Sequence, residues 1–147
     1  MYVNVHTEFL KEAHEKICLK VPAIKALPGN KVYQVTAFDV KERVFSIASQ
    51  LQHSKCTGWN AFGSDFIPCG GGKANGIQKM LDHYSIKREE TMAFGDGEND
   101  IDMLSYVMVS VAMRNASEKV KQIADHVTTD IDDRGIEQAL RHYSLIE

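Results

Sequence analysis

Two carboxylates and a lysine are the side chains best placed, by type and spacing, to do chemistry. Asp96 and Asp100 stand four apart in Gly95-Asp96-Gly97-Glu98-Asn99-Asp100, after the apolar run Thr91-Met92-Ala93-Phe94 and before Ile101-Asp102-Met103-Leu104. The pattern predicts a strand that ends in a glycine-loosened turn and opens a short helix. Glycines at 95 and 97 remove a Cβ that would block an unusual backbone conformation or a close ligand approach. Asn99 and Asp100 are good N-cap types, but capping alone does not call for so many polar groups in one tight turn. Both carboxylates can face one pocket at the strand's C-terminal end, where open α/β sheets bind ligands. Such a pair beside a helix N-terminus suits a hard cation such as Mg²⁺, which takes one or two protein carboxylates and fills its shell with water and substrate phosphate. Lys73 opens a second helix, read through Ile77, Met80, Leu81 and Tyr84. A helix dipole disfavours a cation in the first turn, whereas a bound phosphate would suit both the lysine and the free N–H groups. This is not a Walker loop, because Ala74 and Ile67 replace its hydroxyl residue and first glycine.

Composition across the whole chain bounds the scaffold around this turn. The 147 residues make one ordinary domain or two small pieces of a larger one, with 44% hydrophobic and 25% charged residues, normal for a soluble globular chain. A formal charge of −3 argues against nucleic acid or an anionic membrane as main partner. No apolar run approaches the roughly 20 residues of a membrane span, and no signal-peptide pattern opens the chain. Cys18, Cys56 and Cys69 form no C-x-x-C and read as reduced thiols, which places the chain in the cytoplasm.

Along the first half, residues 5 to 19 read as a helix with Val5, Phe9, Leu10, Ala13 and Ile17 on one face. Lys31 to Phe38 reads as a strand. Asp39 is expected to cap a helix with the apolar face Val40, Val44, Phe45, Ile47, Ala48 and Leu51, before short strands near Cys56–Asn60 and Asp65–Pro68. This α-β-α-β-β order describes a small open-faced sandwich. His6, His14 and His53 lack ligand company and read as solvated surface residues. Gly70-Gly71-Gly72 is the boundary candidate, dividing 1–69 from 70–147. Beyond it, Val107 to Met113 reads as a buried parallel strand. A helix opened by Ser117 and Glu118, a short strand His126-Val127-Thr128 and a closing helix through Ile136, Ala139, Leu140 and Tyr143 follow. Strands alternating with helices imply an α/β fold with a parallel sheet.

Lys73-Ala74-Asn75-Gly76, the Gly95 motif, Val111-Ala112-Met113 and Ala124-Asp125-His126-Val127-Thr128 resemble the haloacid dehalogenase-like (HAD) superfamily, in its Cof-type sugar-phosphate phosphatase branch. Trp59-Asn60 and Asp65-Phe66-Ile67-Pro68 look like the end of that branch's α/β (C2-type) cap returning to the core. The resemblance implies a Rossmann-like parallel-sheet core and phosphate-ester hydrolysis through an aspartyl-phosphate. It also implies Mg²⁺ ligated by Asp96 and completed or oriented by Asp100, Lys73 steadying the nucleophile and phosphoryl oxygens, and Asn99 contacting the phosphoryl group.

The family's D-x-D-G-T nucleophile motif occurs nowhere in these 147 residues, nor does its Ser/Thr phosphate-binding strand before the cap. Asp130-Ile131-Asp132 is a competing D-x-D, but Asp133-Arg134-Gly135 follows it and it reads as a helix-capping loop. Arg114 stands where a glycine is usual. The expectation is therefore a truncated form: 1–69 as a partial cap and 70–147 as the C-terminal half of the core. Three functions compete: a segment of a Mg²⁺-dependent phosphohydrolase acting on a phosphorylated small molecule of the sugar-phosphate class, inactive alone; a catalytically dead phosphate-binding or protein-interaction domain; and a piece of a P-type ATPase. The last lacks the expected Ala-Pro at Ile101-Asp102. A half core would also leave the Thr91–Phe94 strand as an open edge, so a homo-oligomer is expected.

Overall fold

The computed structural model describes residues 7–16, 18, 20–26, 29, 32–58 and 63–147. The chain divides into two compact units, Met1–Cys69 and Gly70–Glu147. The expectations on Val5, His6, Ile17, Lys31, Trp59 and Asn60 lie outside the described residues.

In the first unit, α1 (Glu8–Lys16) is capped by Thr7, whose Oγ1 accepts the Leu10 N–H at 3.1 Å. Leu10, Ala13 and His14 form its buried face. His14 therefore departs from the reading as a surface histidine. Only 1% of it is exposed, its Nδ1 donates to the Leu10 carbonyl at 3.0 Å, and its ring lies 4.9 Å from that of Phe38. A histidine can be buried once its polar atoms find partners. His53 is exposed as expected. Three antiparallel strands, β1 (Val35–Ala37), β2 (Ser54–Gly58) and β3 (Ser64–Pro68), form a sheet in the order β1-β3-β2. β1 is shorter than the predicted strand, and Thr36 Oγ1 donates across it to Asp65 Oδ1 at 2.6 Å. Between β1 and β2, α2 (Lys41–Ala48) has Val40 rather than Asp39 at its N-cap. Asp39 sits one residue earlier, accepting the Val40 N–H at 2.8 Å and the Arg43 guanidinium at 3.2 Å. Of its predicted apolar face, Val44 is buried, whereas Phe45 is 62% exposed and Val40, Ile47 and Leu51 are exposed too.

In the second unit, α3 (Lys73–Tyr84) precedes β4 (Met92–Gly95), α4 (Ile101–Leu104), β5 (Val109–Ala112), α5 (Glu118–Lys121), β6 (His126–Val127) and α6 (Gly135–His142). The strands form a parallel sheet in the order β4-β5-β6, with Gly95 opposite Ala112 and Ala112 opposite Val127. The core is Ala93, Leu104, Val107, Ala112, Ala116 and Val120, with Ile77, Ile101 and Met103 packed against it. Small residues on the strands leave room for the branched residues of the flanking helices, giving the dense interior a small unit needs.

Two polar latches hold the sheet. Asp125 Oδ2 accepts both the backbone N–H (2.8 Å) and hydroxyl (2.7 Å) of Ser110, and those bonds keep its carboxyl below the usual range. Buried Thr128 donates to the Gly135 carbonyl at 2.6 Å, joining β6 to the start of α6. Gly135 has no substitute there, since a Cβ would lie 2.2 Å from the Thr129 carbonyl oxygen.

Candidate functional site

The chain reaches the site along β4. The Met113 N–H donates to the Gly95 carbonyl at 3.0 Å, so the C-terminal ends of β4 and β5 are fixed side by side. The turn that follows is a single 3₁₀ turn, Glu98–Asp100, running directly into α4. Its two glycines serve the chain's own side chains. A Cβ on Gly95 would lie 2.7 Å from Asp100 Cβ and 3.0 Å from Leu104 Cδ1, and one on Gly97 would lie 2.4 Å from Asn99 Oδ1. Gly97 has φ −98°, so an unusual backbone conformation is not what requires glycine here.

Asp100 is 5% exposed and both its oxygens are engaged. Oδ2 accepts the backbone N–H groups of Asp96 and Gly97, each at 3.1 Å, and Oδ1 accepts Lys73 Nζ. Thus Asp100 does not cap α4 with its side chain but closes the turn backwards. Burial pushes its carboxyl pKa up, but the Lys73 hydrogen bond, the two backbone N–H groups and the lysine's charge outweigh that and hold it below the ordinary value. Lys73 reaches it from the first position of α3, whose N-cap Gly72 has φ 127°, a region that favours glycine. Asn75 Nδ2 donates to the Gly70 carbonyl at 2.6 Å, holding the same entry turn.

Asp96 is exposed and differently engaged. Asn115 Nδ2 donates to its Oδ2 at 2.9 Å, and no described residue bonds its Oδ1. Lys73, Asp96, Asp100 and Asn115 all line one open cavity of about 720 Å³, together with Asp130 and Asp132. Of the residues singled out in the sequence, the structure brings Lys73, Asp96 and Asp100 together. Asn99, half-buried against Gly97, is not among those lining the cavity.

Sequence reasoning passed over Asn115. Its signal was positional: it follows β5 closely, beside the end of β4. The Asp130 loop caps as expected, but through its backbone. It is a 3₁₀ turn, Ile131–Asp133, in which the Asp130 carbonyl accepts the Asp133 and Gly135 N–H groups, at 3.1 and 2.9 Å. The Asp130 side chain makes no cap; its Oδ2 lies 3.7 Å from Arg114 Nε, and the loop walls the cavity. Arg114 is not among the described residues with positive φ, so this turn does not need the usual glycine.

Among the described residues no three His, Cys, Asp or Glu side chains converge as a metal cage. Asp96 Oδ1 is a hard oxygen with no partner among the described residues, on a side chain that lines the open cavity. That fits a cation such as Mg²⁺, which keeps several waters and takes one or two carboxylates.

A family model of haloacid dehalogenase-like hydrolases matches residues 2–140. The chain belongs to this family. As a haloacid dehalogenase-like chain, it is similar to the 5-amino-6-(5-phospho-D-ribitylamino)uracil phosphatase YitU of Bacillus subtilis (strain 168), being 31% identical over 154 residues, which cover 97% of this chain and 56% of YitU. Among solved structures it resembles the HAD phosphatase BT1666 from Bacteroides thetaiotaomicron, with TM-score 0.88, 32% identity, and 99% of this chain and 56% of that one covered. It is likewise similar to the HAD subclass IIB sugar phosphatase BT4131, with TM-score 0.84, 32% identity, and 96% and 56% covered. The chain thus spans about half the length of these relatives. Its α/β fold with a parallel sheet is that of its HAD neighbours. Among the described residues no helix is long and apolar enough to cross a membrane.

Proposed function

We propose that this chain carries the lysine and metal-ligating portion of a Mg²⁺-dependent phosphate-monoester hydrolase of the Cof type, acting on a sugar-phosphate class of substrate in the cytoplasm. In this reading Gly70–Glu147 is the C-terminal half of the core and Met1–Cys69 part of the cap. One observation carries it: Lys73, at the start of α3, meets Asp100 in the cavity where Asp96 presents an oxygen with no partner among the described residues. Phosphoryl transfer is mostly positioning and charge neutralisation. Lys73 supplies positive charge toward phosphoryl oxygens, and Asp96 Oδ1 is the carboxylate ligand for the cation. Asp100, with both oxygens engaged, orients Lys73 and the turn rather than donating to the metal. Asn99 would need to turn toward the cavity to touch a phosphoryl group. The cation, when bound, neutralises charge on the transferring group. The substrate class rests on YitU and BT4131, whose names specify a phosphorylated small molecule and a sugar phosphatase.

These 147 residues contain no D-x-D-G-T, so this chain alone is expected not to turn over phosphate esters, the chemistry needing a covalent nucleophile. The assay is p-nitrophenyl phosphate or a hexose phosphate with millimolar Mg²⁺. Repurification-resistant activity that disappears in Asp96→Ala would overturn the inactivity. In parallel, Mg²⁺ titration should shift the amide signals of residues 95–100 weakly, and not in Asp96→Ala. Saturation at micromolar Mg²⁺ would mean a more complete site. The same missing motif supports a second reading, a domain that binds phosphates or a protein partner without catalysis. Phosphate-induced shifts at Lys73 with no dependence on Mg²⁺ would favour it.

A further inference from the structure

We infer that Asn115 is a positioning residue, which holds the Asp96 carboxylate in one orientation so that Oδ1 is the oxygen offered to a cation. This rests on the reading of Asp96 as the carboxylate ligand.

The two site carboxylates are unequally engaged. Asp100 spends Oδ1 on Lys73 and Oδ2 on two backbone N–H groups. Asp96 has the Asn115 amide on Oδ2 at 2.9 Å and no described partner on Oδ1. A carboxylate on an exposed turn with no partner would rotate among staggered side-chain rotamers, and a cation binding there would have to stop that rotation. One donor on one oxygen is enough to select a rotamer while leaving the other oxygen's lone pairs unused.

The backbone places Asn115 beside Asp96. Gly95 pairs with Ala112 in the ladder, the Met113 N–H donates to the Gly95 carbonyl at 3.0 Å, and the Ala116 N–H donates to the Met113 carbonyl at 3.0 Å. Residues 113–116 are thereby folded into a turn anchored to the strand end from which Asp96 departs. Buried Ala112 and Ala116 pin both ends of that turn in the core. Asparagine also suits the task chemically. Its N–H₂ donates without adding charge, whereas lysine or arginine there would compete with the cation for the carboxylate. Partners that orient metal ligands from outside the coordination shell typically change metal affinity by about 10–100-fold when removed.

Three variants test this on the full chain. In EDTA, three-bond NMR couplings should report one χ1 rotamer for Asp96 in the wild type and an average over rotamers in Asn115→Ala and in Asn115→Asp, which keeps the volume and removes the donor. Melting temperatures in EDTA should be nearly unmoved. With Mn²⁺ as the probe, paramagnetic broadening of the amides of residues 95–100 should need about tenfold more metal in Asn115→Ala, and should vanish in Asp96→Ala. Unaltered Asp96 couplings in either Asn115 variant overturn the inference, as does an unchanged Mn²⁺ midpoint in Asn115→Ala. A lowered melting temperature with unaltered couplings replaces it with a merely structural role. Broadening that persists in Asp96→Ala overturns the ligand reading instead, and the couplings still decide whether Asn115 holds Asp96.

Discussion

At the scale of single residues, the site is built by close approach. Asp100 can close the turn onto the N–H groups of Asp96 and Gly97 because Gly95 lets its Cβ come within 2.7 Å of where another Cβ would stand. Gly95→Ala should therefore destabilise the second unit by about 1–3 kcal/mol, the usual cost of forcing a methyl group into filled space. Gly76 provides the contrast: it lies inside α3 with nothing within 4 Å of its missing Cβ. Gly76→Ala should raise stability by about 0.5–1 kcal/mol, through helix propensity alone. Urea unfolding of both variants checks the pair, and equal effects would remove the packing explanation. The sequence made Asp96, Asp100 and Lys73 legible because acidic and basic types at a strand end and a helix start have few other uses. It did not reveal that the glycines make way for Asp100, Leu104 and Asn99, because that depends on which side chains fold back. Nor did it reveal His14, where Leu10, Ala13 and His14 share a helical face but residue type suggested solvent.

At the scale of elements, parallel strands and helices could be read from apolar runs, but their lengths could not. β1 forms three residues of a predicted eight-residue strand, and each of its residues pairs with one of Ser64–Phe66. β3 runs on through Ile67 and Pro68 against β2, but among the described residues β1 joins only its first three positions. At the β6 end of the parallel sheet, ring contacts add to the short strand pairing. His126 of two-residue β6 stacks on His142 of α6 with centroids 4.3 Å apart and planes 10° apart, and Tyr143 meets both rings edge-on. Burial, and then the nearby His142 charge, hold the His126 pKa below the ordinary imidazole value. As pH falls from about 6.5 the unfolded chain takes up this proton first, so stability is lost progressively down through the folded-state pKa and is fully present above about pH 6.5. Melting temperatures at about pH 7.5 and pH 5.5 should differ more in the wild type than in His126→Phe, which keeps a stacked ring and removes the titration. An equal difference in the two proteins would assign the pH dependence to other groups.

At the scale of the whole molecule, the open question is what meets the free edge of β4. Thr91 and Gly95 turn their carbonyls toward β5, accepting the Val109 and Met113 N–H groups at 3.1 and 3.0 Å. Backbone groups alternate sides along a strand, so those of Met92 and Phe94 point to the opposite edge, where no described strand pairs. One way to satisfy it within a single chain would be for residues 32–38 to swing across. Within the first unit Val35–Ala37 pair with β3, and a monomer in which this segment also covers the β4 edge is the competing outcome. Exposed strand edges recruit other strands, and a unit of this size gains from any added sheet. The edge is moreover apolar on its faces, with Ala93 buried and Met92 and Phe94 half-buried. We therefore predict a homodimer or larger oligomer formed by pairing at β4, to be checked by light scattering after size exclusion at micromolar concentration. Replacing Met92 by proline removes one outward N–H; if the edge is the interface, it should shift the oligomer toward monomer. Because proline could also unfold β4, circular dichroism must show the helix content retained. A monodisperse wild-type species of the 16.5 kDa chain mass would refute the pairing. An oligomer that Met92→Pro leaves intact would place the interface elsewhere on the chain.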